Sequence, residues 1–187
     1  VNQRHRRLTS FPGLNSGADI SPDGSNLALC LSRDHRVELY LLGLQNRSLD
    51  RLTNDVAVES SPCWSPDGRQ ICYVSDRAGK PQIYVMTPGG SARRLIRDGS
   101  ETVSPDWSAV SNLICFSTRQ GGSYQLGVLD MDAANPEKKL INPGPGDWES
   151  PSWAPDSRHV VCTRQVGSQR QICMVDTWTG KPIAISK

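Results

Sequence analysis

A four-residue turn signature, Ser65-Pro66-Asp67-Gly68, recurs along the chain. Ser21-Pro22-Asp23-Gly24 precedes it, and the weaker Ser108-Ala109-Val110-Ser111 and Ala154-Pro155-Asp156-Ser157 follow it. The copies start 44, 43 and 46 residues apart. A period in this range marks stacked supersecondary units, none of which can bury its apolar face alone. Each residue is therefore read first by its place in the repeat.

The second copy is the clearest. Proline presets φ, aspartate bonds local amides and glycine accepts positive φ, so the chain reverses at Ser65-Pro66-Asp67-Gly68. Val58 to Trp64 reads as a strand before that turn and Arg69 to Ser75 as one after it. Arg77-Ala78-Gly79-Lys80 turns again, Pro81 to Thr87 is a third strand, Pro88-Gly89-Gly90 a third turn, and Ala92 to Arg97 closes the unit. Four short antiparallel strands in such a unit match one blade of a β-propeller. The second strands, such as Leu27-Ala28-Leu29-Cys30-Leu31, are apolar at successive positions, as in a sheet covered on both faces.

The expected fold is thus all-β: a propeller of four-stranded antiparallel blades, with blades at about 16–53, 58–97, 102–141 and 148–187 in one region spanning 1–187. Arg7-Leu8-Thr9 resembles the blade ends Arg51-Leu52-Thr53 and Arg94-Leu95-Ile96, so an outer strand of a preceding blade is expected at about 4–10, and the chain reads as beginning inside a larger propeller. Trp64, Trp107 and Trp153 share one repeat position with Ile20, where packing between blades is expected. Trp148 and Trp178 lie outside that position and are expected in surface loops.

Composition narrows the function. Twenty-one basic against 19 acidic residues give a net charge of +2, which lends no general support to nucleic-acid binding. The Arg4-His5-Arg6-Arg7 cluster reads as a solvated strand end. No run approaches the roughly 20 apolar residues of a membrane span, and no signal-peptide layout opens the chain. The six cysteines form no C-x-x-C pair, and Cys72 and Cys115 fall inside apolar runs, so free core thiols are expected rather than zinc ligands. No Gly-x-Ser-x-Gly elbow is present, and His5, His35 and His159 fall in different repeats, so no catalytic residues are assigned. Asp23, Asp67 and Asp156 read as turn caps. Asp19, Glu59, Asp106 and Glu149 would approach the central channel, where converging oxygens can hold a hard cation such as calcium; a solvated polar channel is the default, and neither metal nor cofactor is assigned.

Cys63 to Met86 resembles the WD40-like PD40 repeat: Trp-Ser-Pro-Asp-Gly, an apolar strand, Ser-Asp-Arg-x-Gly, then Ile-Tyr-x-Met. The segments Leu8 to Ala18 and Leu52-Thr53-Asn54-Asp55 are similar to the carboxyl-terminal propeller of the TolB family. That resemblance implies the last two thirds of a six-bladed propeller, in a non-enzymatic periplasmic scaffold of the Tol-Pal system. Its partner would be a Pal-like peptidoglycan-associated lipoprotein, with other Tol proteins as further partners, and with neither nucleic acid nor membrane insertion. The implied role is support of outer-membrane integrity and of envelope constriction during division. By the same resemblance, partner contacts come from loops leading into the innermost strands: Leu14, Asn15, Gly17, Glu59, Ser60, Ser61, Asp106, Glu149 and Ser150. Leu14 stands where a histidine is familiar and Ser61 where a glutamate is. The alternative is the gating propeller of a PD40-containing serine peptidase, and a third reading is a sugar-binding propeller using Trp148 and Trp178.

Overall fold

The computed structural model describes residues 7–33 and 35–186. Among the described residues sixteen strands form four separate sheets, each a meander of four consecutive antiparallel strands. The first sheet holds β1 (Asn15–Ile20), β2 (Asn26–Arg33), β3 (Arg36–Gly43) and β4 (Leu49–Arg51). The second holds β5 (Glu59–Trp64), β6 (Ile71–Ser75), β7 (Gln82–Met86) and β8 (Arg93–Arg94). The third holds β9 (Thr102–Trp107), β10 (Leu113–Gln120), β11 (Ser123–Asp130) and β12 (Lys138–Ile141). The fourth holds β13 (Asp147–Trp153), β14 (His159–Val166), β15 (Gln169–Asp176) and β16 (Pro182–Ala184). No helix occurs among the described residues. This is the all-β, bladed architecture expected from the repeat. Of the outer strand expected at 4–10, residues 4–6 lie outside the described residues, as do most of the basic cluster and His5, while 7–10 carry no strand assignment.

The recurring turn works as its residue types dictate. The Ser65 hydroxyl donates to Asp67 Oδ1 at 2.6 Å and accepts the Gln70 amide at 2.9 Å, while the Gly68 amide reaches the Ser65 carbonyl at 2.9 Å. Ser21, Asp23, Gly24 and Asn26 repeat this pattern. Gly24 and Gly68 have φ of 69° and 68°, and at the fourth copy Ser157 takes 53° in glycine's place. The third copy has no aspartate, and Ser108 Oγ accepts the Val110 and Ser111 amides at a longer 3.3 Å.

Sheet stacking explains the unbroken apolar runs. In β6, Ile71 and Tyr73 point into a core shared with Ala28, Cys30 and Leu39 of the first blade. Their neighbours Cys72 and Val74 point the other way, into a core with Trp107, Ile114 and Phe116 of the third. Successive residues therefore fill opposite inter-blade cores. A third core joins Cys115, Leu126 and Ile141 to Val160, Cys162, Cys173 and Val175. Trp64, Trp107 and Trp153 each pack in one of these three cores. All six cysteines are free and buried.

Trp148 departs from expectation. It lies in β13, is 0% exposed, and its indole N–H donates to the Gly144 carbonyl at 3.0 Å. The fourth blade uses this extra tryptophan to fill the core against Cys115 and Leu126, so it offers no face to a sugar. Trp178, by contrast, is exposed, with the Arg158 guanidinium 4.5 Å over its ring.

Candidate protein-interaction face of the innermost strands

The first strands of the four blades lie side by side, β1 against β5, β5 against β9 and β9 against β13. Each is hydrogen-bonded to its own second strand on one edge only, which leaves the other edge facing the inner side of the stack. Because each sheet is a meander, the segments entering β1, β5, β9 and β13 share one end with the β2–β3, β6–β7, β10–β11 and β14–β15 hairpins. The recurring turns lie at the opposite end.

All four inner strands are bulged at the same repeat position. Gly17, Ser61, Ser104 and Ser150 take φ of 51°, 50°, 52° and 51°, and the pairing of each inner strand with its second strand shifts register there. An extra residue at this point bends the strand and re-aims the side chains that follow. The bulged residue is a glycine in the first blade and a serine before proline in the other three, a pair that also opens the Ser21-Pro22 and Ser65-Pro66 turns, so sequence reasoning missed it. The bulges also touch: a Cβ added at Gly17 would lie 3.2 Å from both the Ser61 amide nitrogen and Pro62 Cδ.

Downstream of the bulges the blades are tied together. Asp19 Oδ2 accepts the Trp64 backbone amide at 2.7 Å, and the Trp64 indole donates to the Asp19 carbonyl at 3.1 Å. Asp106 Oδ2 accepts the Trp153 amide at 2.6 Å and the Ser152 hydroxyl at 3.1 Å. Both carboxylates border a cavity of about 360 Å³, together with Trp64, Trp107 and Trp153. Burial raises the pKa of both groups against the opposing amide bonds, and the Asp19 charge raises that of Asp106 further.

At the entry end, Leu14 is 52% exposed, and Asn15, Gly17 and Ser150 are also exposed, with Ser60, Ser61 and Glu149 half-buried. The Asn15 amide donates to the Phe11 and Gly13 carbonyls at 2.9 and 3.0 Å, which holds the loop beneath it. Glu59 differs, being 0% exposed. Its Oε1 accepts from Ser75 Oγ at 3.0 Å and Arg77 Nη2 at 2.9 Å, while Oε2 has no partner. Burial raises the Glu59 pKa, opposed by these two hydrogen bonds. Arg77 also lies 3.3 Å from Asp55 Oδ2 in the segment entering β5, and its guanidinium sits 4.8 Å over the Tyr84 ring. Glu59 therefore fixes the entry loop and the β6–β7 hairpin from within, through Arg77, rather than presenting a surface.

The expected residues thus divide. Leu14, Asn15, Gly17, Ser60, Ser61, Glu149 and Ser150 lie at the entry end or bulge of their strands, whereas Asp106 lies toward the turn end beside the cavity. The four channel carboxylates do not converge as a cation site requires: Asp19 and Asp106 bond main-chain amides, Glu59 turns into its blade toward Arg77, and Glu149 pairs with Arg170 at 3.1 Å. Among the described residues no group of three or more His, Cys, Asp or Glu side chains is placed to hold a metal ion. His159 Nδ1 lies 2.6 Å from Asp156 Oδ2 in its turn, and among the described residues no hydroxyl is bonded to His35 or His159.

The profile of the family described as PD40, TolB beta propeller domain, matches residues 1–184. An uncharacterized protein of Agrobacterium fabrum is 29% identical over 154 residues, covering 77% of this chain and 53% of its own length. The Tol-Pal system protein TolB of Helicobacter hepaticus is 32% identical over 94 residues, 50% of this chain and 22% of that protein. The crystal structure of TolB from Acinetobacter baumannii superposes with a TM-score of 0.85 at 30% identity, over 96% of this chain and 45% of that one. Puromycin hydrolase shares the fold, with a TM-score of 0.78 at 21% identity over 97% of this chain and 30% of its own. The chain spans about half or less of the length of each of these proteins. By its repeat, its bladed sheets and the match over residues 1–184, it belongs to the PD40 family of TolB beta-propeller domains.

Proposed function

We propose that this propeller is part of a non-enzymatic periplasmic scaffold of TolB type. It binds a Pal-like peptidoglycan-associated lipoprotein through the entry end of its innermost strands, and through that contact supports outer-membrane integrity and envelope constriction during division. The observation that carries the reading is the agreement with a TolB structure over 96% of the chain, at 30% identity. The exposed Leu14, Asn15, Gly17 and Ser150 and the half-buried Ser60, Ser61 and Glu149 supply a surface of mixed polarity, as a non-obligate protein interface requires. Glu59 serves the surface indirectly, by holding Arg77 and the loop at Asp55.

Isothermal titration of the full-length protein with the Pal domain encoded in the same genome tests this. Saturable binding weakened about tenfold by Leu14→Asp with Ser61→Arg supports the reading, since one decade is about 1.4 kcal/mol. No heat at high micromolar concentration refutes it.

A second reading, the gating propeller of a serine peptidase, is favoured by the shared fold of puromycin hydrolase. It requires a hydrolase domain in the same gene, so the full gene sequence separates the two.

A further inference from the structure

The outer rim carries a groove that the proposed partner contacts leave unused. It lies between the last strand of the second blade and the loop entering the last strand of the third, with a volume of about 790 Å³. Leu95 and Ile96 line its base with only their outer edges, being otherwise buried in the core shared with the third blade, and its walls are predominantly cationic. Arg93 and Arg97 are exposed, and among the described residues neither guanidinium has a carboxylate or hydrogen-bond partner. Arg94 donates only to the neutral Gln82 amide oxygen, at 2.8 Å. The Asp98 carboxylate in the wall is neutralised by Lys138 Nζ at 2.5 Å. Glu137 is the remaining acid, so three arginines face one uncompensated carboxylate.

The backbone adds a second element. β8 is the last strand of its sheet and pairs only with β7, through Tyr84↔Arg94 and Val85↔Arg93. Its outer edge is left without a strand partner over these two residues, which is room for one or two main-chain hydrogen bonds to an extended chain whose acidic side chains offset the arginines.

We infer that this groove docks an extended acidic peptide segment, which runs along the free edge of β8, places apolar side chains over Leu95 and Ile96, and sets its carboxylates against Arg93, Arg94 and Arg97. Planar guanidinium groups bind carboxylates in bidentate fashion, and an apolar floor beneath them lowers the local dielectric. This site is separate from the inner face, so its test stands or falls independently of lipoprotein binding.

The test is fluorescence anisotropy of the full-length protein with a fluorescein-labelled peptide of alternating glutamate and leucine. Binding should be saturable at low salt and weaken as salt rises. It should fall about tenfold or more in Arg93→Glu/Arg97→Glu, a loss of about 1.4 kcal/mol per decade. It should be unchanged in Arg36→Glu/Arg69→Glu, which removes exposed charge from other sites. Absence of binding at low salt, equal loss in both double variants, or tighter binding of a single-stranded RNA probe by the same arginines would each overturn the inference.

Discussion

The carboxylate of Asp19 leaves its own blade and accepts the backbone amide of Trp64 in the next at 2.7 Å, a tie that Asp106 repeats with Trp153 at 2.6 Å. At the equivalent place the second blade has Cys63, which faces Cys72 across its own sheet. These ties satisfy amides on the inner edges of β5 and β13, which lack a neighbouring strand.

Removing the acceptor leaves a poorly solvated amide, so Asp106→Ala is expected to lower stability by about 1–3 kcal/mol in urea unfolding at neutral pH. Asp106→Asn keeps an acceptor and discards a charge that burial disfavours, so its change should stay within about 0.5 kcal/mol. The folded-state pKa of Asp106 is raised, so its own contribution to stability grows as pH falls from neutral through that value toward the ordinary carboxylate range. That share of the pH dependence should be missing in the asparagine variant, while the shares of Asp19 and Glu59, which are raised in the same direction, remain.

The turn aspartates carry the opposite sign. The Ser21 hydroxyl, then the Ser25 amide and hydroxyl, lower Asp23 from 3.8 to about 2. Its contribution is complete above pH 3.8 and is lost as pH falls toward about 2. Unfolding midpoints measured across this window should fall more shallowly for Asp23→Asn than for the wild type.

The four bulges make a paired expectation. Ser61→Gly and Ser104→Gly each relieve a serine held in the left-handed region, and should gain up to about 1 kcal/mol in chemical denaturation. Gly17→Ala adds both that strain and a close contact at 3.2 Å with the second blade, and should lose about 1–2 kcal/mol.

A tight glycine sits in the third blade. Phe116 pairs with Gly127 across β10 and β11, and a Cβ at Gly127 would lie 2.5 Å from the ring. Gly127→Ala should destabilise by about 1–3 kcal/mol, and pairing it with Phe116→Leu should recover part of that loss in a double-mutant cycle.

Features fixed by local chemistry were legible in the sequence. The Ser-Pro-Asp-Gly turns, the strands they bound and the tryptophans at the ends of β5, β9 and β13 follow from φ preferences and from repetition. Features set by a neighbouring blade were not. Trp148 looked like a loop residue because its core is supplied by Cys115, Leu126 and Ile141 of the preceding blade. Glu59 looked like a channel carboxylate because the Arg77 that turns it inward lies 18 residues away across a hairpin. The bulges were hidden because serine, unlike glycine, does not announce a positive φ.

Hydrogen–deuterium exchange of the full-length protein, with and without the Pal domain from the same genome, tests the proposed partner face most directly. The expected footprint is slowed exchange at Leu14 to Gly17, at Ser60 and Ser61, and at Glu149 and Ser150, with the outer strands β4, β8, β12 and β16 unchanged. Protection confined to the outer strands, or none at a saturating concentration, would contradict the account.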